Sequence, residues 1–211
     1  MSVKIYHDML PVCTLTPEEH GIELNYNKII EFVEQIEPQV LELEVDKGYY
    51  NNHSNQRPAE EIIEKWNGWN ILLLKEPELF KVFQIIMKGV KEFSKFIGFN
   101  DSCTYLGCWA TLTRKGSLVH PHTHNFHMVG HVAINAEPSE TTYSWKDRNN
   151  KEYHVPIENK NGAVQVTKSV NHHSSVWHQD ESRVTIAFDV IGQQHIDDPR
   201  PLPPCFPIYL E

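Results

Sequence analysis

The sequence predicts a mainly β fold with N-terminal helices, in which a barrel built by the second half of the chain is buttressed by helices from the first. Three observations predict it. Helical apolar spacing is confined to the first hundred residues, period-two alternation takes over from Ser102, and 211 residues suit one domain with a sizeable core. The expected organisation is a single domain over 1–211: a mainly helical part at 1–101, a β-barrel core at 102–192 and a proline-rich tail at 193–211.

Each element follows from local pattern. Tyr26 to Ile36 places Ile29, Ile30, Val33 and Ile36 on one helical face, and Glu78 to Ile97 repeats Leu79, Val82, Phe83, Ile86, Val90, Phe93 and Ile97 at three- and four-residue steps. A further short helix is expected at Ala59 to Trp66, started after Pro58, and its polar flank Tyr49 to Arg57 reads as a loop. Beyond Ser102, short alternating stretches at Thr104 to Thr113, Gly130 to Asn135, Ala163 to Thr167 and Arg183 to Val190 read as strands. The polar segment Glu137 to Asn161 contains Tyr143, Trp145 and Tyr153 and suggests a hairpin or lid over a cavity. Prolines from Pro199 to Pro207 mark an extended tail.

Composition narrows the function classes. A formal charge of -9 and a pI near 5.8 argue against nucleic acid as a partner, because such binders draw affinity from clustered Lys and Arg. Lys81, Lys88, Lys91 and Lys95 on the second helix read as a solvated face. The N-terminal MSVKIYHDMLPV lacks a sustained apolar run, and nowhere do eighteen apolar residues follow one another, so a soluble chain without a membrane partner is expected. Cys13, Cys103, Cys108 and Cys205 lack C-x-x-C spacing, which fits a reduced, cytoplasmic setting.

The chemistry is concentrated in histidine. Eight of the thirteen fall in two short stretches, His120 to His131 and His172 to His178. His122 and His124, two apart in an extended segment, project to the same side about 7 Å apart at the backbone and can converge on one metal. The second stretch offers a third ligand. The cupin spacing G-x5-H-x-H fits Gly116, His122 and His124, and its second half runs from Gly162 to His173, with Lys168 and Val170 in place of the usual turn residues. In the 2-oxoglutarate oxygenase spacing the distal histidine precedes R-x-S/T by about ten residues, as His173 precedes Arg183-Val-Thr185. Both select His173 over His172 and His178. Arg183 and Thr185 share one strand face, opposite Val184, Ile186, Phe188 and Val190, and an arginine facing a barrel interior calls for an anion.

Through Trp109, Gly116, Pro121-His122-Thr123-His124, Gly130, His173 and Arg183-Val-Thr-Ile-Ala-Phe-Asp189, the region Cys108 to Gly192 resembles the short 2-oxoglutarate and Fe(II)-dependent oxygenases of bacteria and phages. The resemblance implies a double-stranded β-helix (jelly-roll, cupin-like) barrel and Fe(II) held by His122, His124 and His173. It further implies 2-oxoglutarate as cosubstrate, its distal carboxylate on Arg183 with help from Thr185, and dioxygen with a small-molecule or side-chain substrate. Hydroxylation is the default outcome, and a homodimer is left open.

One departure stands out: the pattern is usually H-x-D/E…H, and His124 occupies the carboxylate position. His124 as ligand, His124 turned away to leave a gap for a halide or water, and His127 in its place all remain open. Two further readings stand beside the oxygenase. One is a cupin-type dioxygenase or isomerase that binds substrate directly to its metal, and the other a metal-stabilised binding module. Structural zinc fits less well, since no cysteine lies within either histidine cluster. Trp109, Trp145 and Trp177 are candidate pocket walls.

Overall fold

Amphipathic spacing in the first half does form helices. The computed structural model describes residues 3–42, 65–66, 68–101, 104–196 and 204–210. Helix α1 (Pro17–His20) is a single turn. Helix α2 (Tyr26–Leu41) starts at Asn25, whose side chain accepts from the Lys28 amide, and buries Ile29, Val33, Ile36 and Val40. After a 3₁₀ turn at Ile71–Leu73, helix α3 (Pro77–Ile97) opens with Pro77 and closes at Gly98, left-handed at φ 67°. Its buried stripe of Leu79, Val82, Ile86, Val90 and Phe93 follows the predicted spacing. A last turn, α4, spans Gln193–Ile196.

Among the described residues, ten strands make two antiparallel sheets. They are β1 (Val3–Tyr6), β2 (Leu10–Leu15), β3 (Thr104–Thr113), β4 (Met128–Asn135), β5 (Glu140–Lys146), β6 (Glu152–Glu158), β7 (Val164–Lys168), β8 (Asn171–Ser174), β9 (Arg183–Gly192) and β10 (Cys205–Ile208). The larger sheet runs β1-β2-β7-β4-β9-β3-β10 and the smaller β6-β5-β8. This is the double-stranded β-helix, or jelly-roll, arrangement, with helices on the outer face of the larger sheet.

Strand alternation divides the two faces of that sheet. Val184, Ile186, Phe188 and Val190 of β9 join Leu106, Cys108 and Ala110 of β3, Val132 and Ile134 of β4, and Val164 and Val166 of β7 in one apolar core with the stripes of α2 and α3. The intervening residues face the barrel interior: in register, Arg183 opposes Thr113, Thr185 opposes Thr111 and Ala133, Ala187 opposes Trp109 and His131, and Asp189 opposes Gly107 and Val129. The interior is therefore largely polar while the outer face is dry.

The structure sharpens three expectations. The first hundred residues are not only helical, because β1 and β2 form a hairpin that enters the large sheet through β2 and β7. The short N-terminal strands escaped notice because Val3 to Tyr6 and Leu10 to Leu15 are brief and lack a strict alternation of burial. The tail is not merely extended, since β10 pairs with β3 at the sheet edge, where Pro207 is tolerated. Of the two alternatives for Glu137 to Asn161, the hairpin forms, as β5 pairs with β6 in the smaller sheet. The helix expected at Ala59 to Trp66 and the loop at Tyr49 to Arg57 lie almost wholly outside the described residues, as does Cys103. Among the described residues no helix is long and apolar enough to cross a membrane.

Gly130 sits where β4 passes close to β7 and to the ring of Phe188. A Cβ there would collide with the Gln165 carbonyl oxygen and lie 2.5 Å from Phe188 Cζ, so strand and ring leave no room for a methyl group. Gly130→Ala is expected to destabilise the fold by roughly 1–3 kcal/mol or more, the usual penalty of overpacking, read as a lower urea midpoint at unchanged m-value.

Candidate metal centre

The segment from Gly116 to His124 carries the first two histidines into the barrel. Gly116 adopts φ 81°, a left-handed conformation that favours glycine, and its amide donates to the Trp177 carbonyl at 2.7 Å. The chain then runs antiparallel to β8: Ser174 N donates to Val119 O at 3.0 Å, and His122 and His172 exchange both backbone hydrogen bonds at 3.0 and 2.9 Å. Such a pair is directly opposed, so both rings leave the sheet on the same side, with centroids 4.4 Å apart. His124 is fixed in turn by Ser169, between β7 and β8, whose hydroxyl accepts from the His124 amide at 3.2 Å and donates to its carbonyl.

His122, His124 and His172 offer ligand atoms that all lie within 4.8 Å of one another. His122 and His124, two of the three expected ligands, thus converge, and the histidine that joins them within this distance is His172, not the expected His173. The reason is register. In β8, His172 opposes Tyr143 and His173 opposes Thr142, so His172 shares the interior face with buried Tyr143 and Ser174 while His173 is one step out of phase. His173 borders the same cavity, but its buried Nδ1 has no hydrogen-bond partner among the described residues. His127, the alternative to His124, packs at a tilt against Phe99, with centroids 4.9 Å apart, and borders Gly192.

The three converging rings share one device. His122 Nδ1 contacts the His120 carbonyl at 2.7 Å, and His172 Nδ1 contacts the Val170 carbonyl at 2.8 Å. A carbonyl only accepts, so both Nδ1 atoms carry the proton and both Nε2 atoms keep a lone pair. His124 Nδ1 lies 2.9 Å from Asp189 Oδ1, a short contact that is imperfectly aligned for a linear hydrogen bond. Every ring is anchored through Nδ1, as metal-binding histidines are. Burial, aided by neighbouring histidines, holds the His122 pKa down to about 4 and drives that of His172 well below the usual range, so both are neutral donors at physiological pH. For His124 burial acts downward too, but the negative charge of Asp189 beside it outweighs that and raises the pKa.

A cavity of about 60 Å³ connects these rings to Arg183. Its walls include Trp109, Thr111, Val129, His131, Thr141, Tyr143, Thr185 and Ala187. Trp145 and Trp177 do not border it; Trp145 stacks on Tyr153 and Trp177 donates to the Glu181 carbonyl. Arg183 is only 2% exposed, and burial lowers its pKa to about 10, which leaves it a cation at neutral pH. Its Nε donates to Ser139 Oγ at 3.1 Å, while Nη1 is buried without a partner among the described residues. Ser139 belongs to a network that the sequence did not disclose. Asn159 Nδ2 donates to Ser139 Oγ, and Asn159 Oδ1 receives Thr141 Oγ1, Gln165 Nε2 and His131 Nε2. His131 is thereby held as an Nε2–H donor, and burial, with the nearby Arg183 charge, lowers its pKa to about 4.

No protein-family model and no curated protein matches the sequence. Solved structures do align with it. An oxidoreductase of the 2OG-Fe(II) oxygenase family from Burkholderia pseudomallei aligns at 12% identity and TM-score 0.44 over 56% of this chain, which spans 60% of that protein's length. A prolyl-4-hydroxylase from Pseudomonas putida aligns at 12% identity and TM-score 0.40, covering 88% of this chain and 90% of that one. The non-haem alpha-ketoglutarate-dependent carbocyclase SnoK of nogalamycin biosynthesis aligns at 9% identity and TM-score 0.48, covering 86% and 79%.

One of the residues described above, Asp189, is legible in the sequence. Counting by twos from Arg183 through Thr185 and Ala187 reaches Asp189, which places a carboxylate on the interior face. The choice between His172 and His173 had no such signal, since it depends on which residue of β8 opposes Tyr143 and His122.

His172→Ala should reduce Co(II) affinity by two orders of magnitude or more in an anaerobic calorimetric titration, whereas His173→Ala should bind within a few-fold of the unmodified protein. The reverse ranking would restore the sequence templates' choice.

Acid should also weaken the metal-free fold. His122, His131 and His172 have folded pKa values below the unfolded value of about 6.5, so the unfolded chain takes up more protons in that window and stability falls as pH drops from 6.5 toward 4. His124, with its raised pKa, acts in the opposite direction but is one group against three. Urea midpoints measured from pH 7.5 to 4.5 should decline, and His131→Gln should flatten the slope.

Proposed function

We propose that this protein is an Fe(II)- and 2-oxoglutarate-dependent oxygenase, with the metal on His122, His124 and His172 and the distal carboxylate of 2-oxoglutarate on Arg183. The observation that carries the proposal is the pairing, in one cavity, of three converging imidazoles with a buried guanidinium whose Nη1 lacks a partner among the described residues. An unpaired buried cation is costly, and a carboxylate is the ligand that a planar guanidinium fork matches best. The donor set suits iron: neutral imidazoles bind divalent first-row metals, and three ligands leave room for a bidentate oxoacid and dioxygen. When bound, Fe(II) with 2-oxoglutarate supplies the oxidising chemistry that attacks a C–H bond.

The chain's own contribution is positioning and exclusion. Ser139 fixes the roll of the guanidinium through Nε, and Asn159 fixes Ser139, so Nη1 is presented to the cavity in a single orientation. Thr185 stands two residues further along the same strand face and can add a hydroxyl to the carboxylate. Trp109, Val129 and Tyr143 close apolar surface over the rest of the cavity and keep it dry. The all-imidazole ligand set favours one second reading, a cupin-type dioxygenase or isomerase that binds substrate directly to its metal with Arg183 on the substrate.

One titration separates the two readings. Adding 2-oxoglutarate to the anaerobic Fe(II) protein should produce the visible charge-transfer band of a chelated oxoacid, and no band would sink the oxygenase reading. Arg183→Met should weaken 2-oxoglutarate by about thirtyfold or more, since truncating one partner of a buried charged pair costs roughly 2–5 kcal/mol. A band that titrates identically in Arg183→Met would remove that residue from the cosubstrate site.

A further inference from the structure

The ligand set is entirely imidazole, yet one carboxylate lies directly behind it. Asp189 sits on the interior face of β9, is 2% exposed, and has His124 as its ion-pair contact among the described residues, at 2.9 Å. A carboxylate buried this deeply is expensive unless it is paired with charge. His122 and His172 direct Nδ1 to neutral backbone carbonyls, which orient the rings without adding charge. His124 alone is anchored by an anion. Its ring is also stacked by Trp109, centroids 5.9 Å apart and planes 26° from parallel, and its main chain is clipped by Ser169.

We propose that Asp189 is the positioning residue of the metal centre: its carboxylate holds the His124 ring with Nε2 toward the metal and supplies, through the imidazole, the negative charge that the three ligands lack. In the H-x-D/E…H arrangement the carboxylate binds the metal itself. Here it is displaced outward by the width of one imidazole, so that His124 and Asp189 together stand where a single acidic residue would. The ring becomes more basic at Nε2, because the carboxylate stabilises positive charge drawn onto it, and the buried carboxylate gains a cationic partner when metal binds. The inference rests on the metal-binding reading above and deepens it.

The test uses Co(II) alone as the probe, with the full-length chain and its Asp189→Asn and His124→Asp/Asp189→Asn variants, each checked for folding by thermal unfolding without metal. Asparagine keeps the shape and an acceptor oxygen for His124 but removes the charge. Asp189→Asn should bind Co(II) about 10- to 100-fold more weakly, the usual effect of losing such a supporting group, with metal-free unfolding no lower than in the unmodified protein. Returning a carboxylate to the ligand position in His124→Asp/Asp189→Asn should recover most of that loss. Failure of the unmodified protein to bind Co(II) would overturn the metal reading itself. Normal binding by the unmodified protein together with binding within twofold by Asp189→Asn would overturn the role of Asp189 alone. Equal weakness in the single and double variants would also overturn it, because Asp189 would then act only through packing.

Discussion

The whole arrangement depends on the ten-residue strand β9, which is hydrogen-bonded to β3 on one side and β4 on the other. Its alternation must satisfy two incompatible environments at once. Even-numbered residues fill an apolar layer against α2 and α3, and odd-numbered residues carry a guanidinium, a hydroxyl and a carboxylate into the barrel. A slip of one residue would put Arg183 and Asp189 among the helix side chains and expose Phe188 to the polar interior. The penalty for burying two charges in an apolar layer fixes the register more firmly than the hydrogen bonds do, because those would form equally well in the slipped pairing.

The same strand separates the two charges of the site. Arg183 and Asp189 lie six residues apart on one face, about 20 Å of extended chain, so they do not neutralise each other. Arg183 is left with a neutral partner, Ser139, and Asp189 with a histidine. The interior therefore has a cationic end prepared for an anion and an anionic end prepared for a cation, with the three imidazoles beside the latter. An interior built for stability alone would pair the charges or replace them with apolar groups, as buried ion pairs can often be replaced without loss. Keeping them apart is what a site does when ligands are to complete them.

Much of this was legible in sequence because it depends on local periodicity. The stripes of α2 and α3, the alternation of β9 and the i, i+2 spacing of His122 and His124 are properties of single segments, and each was read correctly as an element. The short strands β1, β2 and β10 were not, since they acquire their character from the strands beside them. Ser139 and Asn159 were invisible for a related reason. Neither belongs to a motif, and their meaning arises only when the β5–β6 hairpin folds onto the large sheet and brings them under Arg183.

The contrast between His172 and His173 shows where spacing ceases to be informative. Counting back from Arg183 tests the distance along the chain, and the segment 175–182 between β8 and β9 can absorb one residue without changing either strand. Cross-strand pairing has no such freedom, because a shift of one residue in β8 reverses the face of every side chain in it. His172 is held in phase from both sides, by Tyr143 across β5 and by the reciprocal hydrogen bonds with His122. Its Nδ1 then finds the Val170 carbonyl just as that of His122 finds His120, each two residues back along its own segment. Two of the three converging imidazoles, from opposite ends of the barrel sequence, are thus oriented by the same local contact, whereas His124 turns its Nδ1 to Asp189.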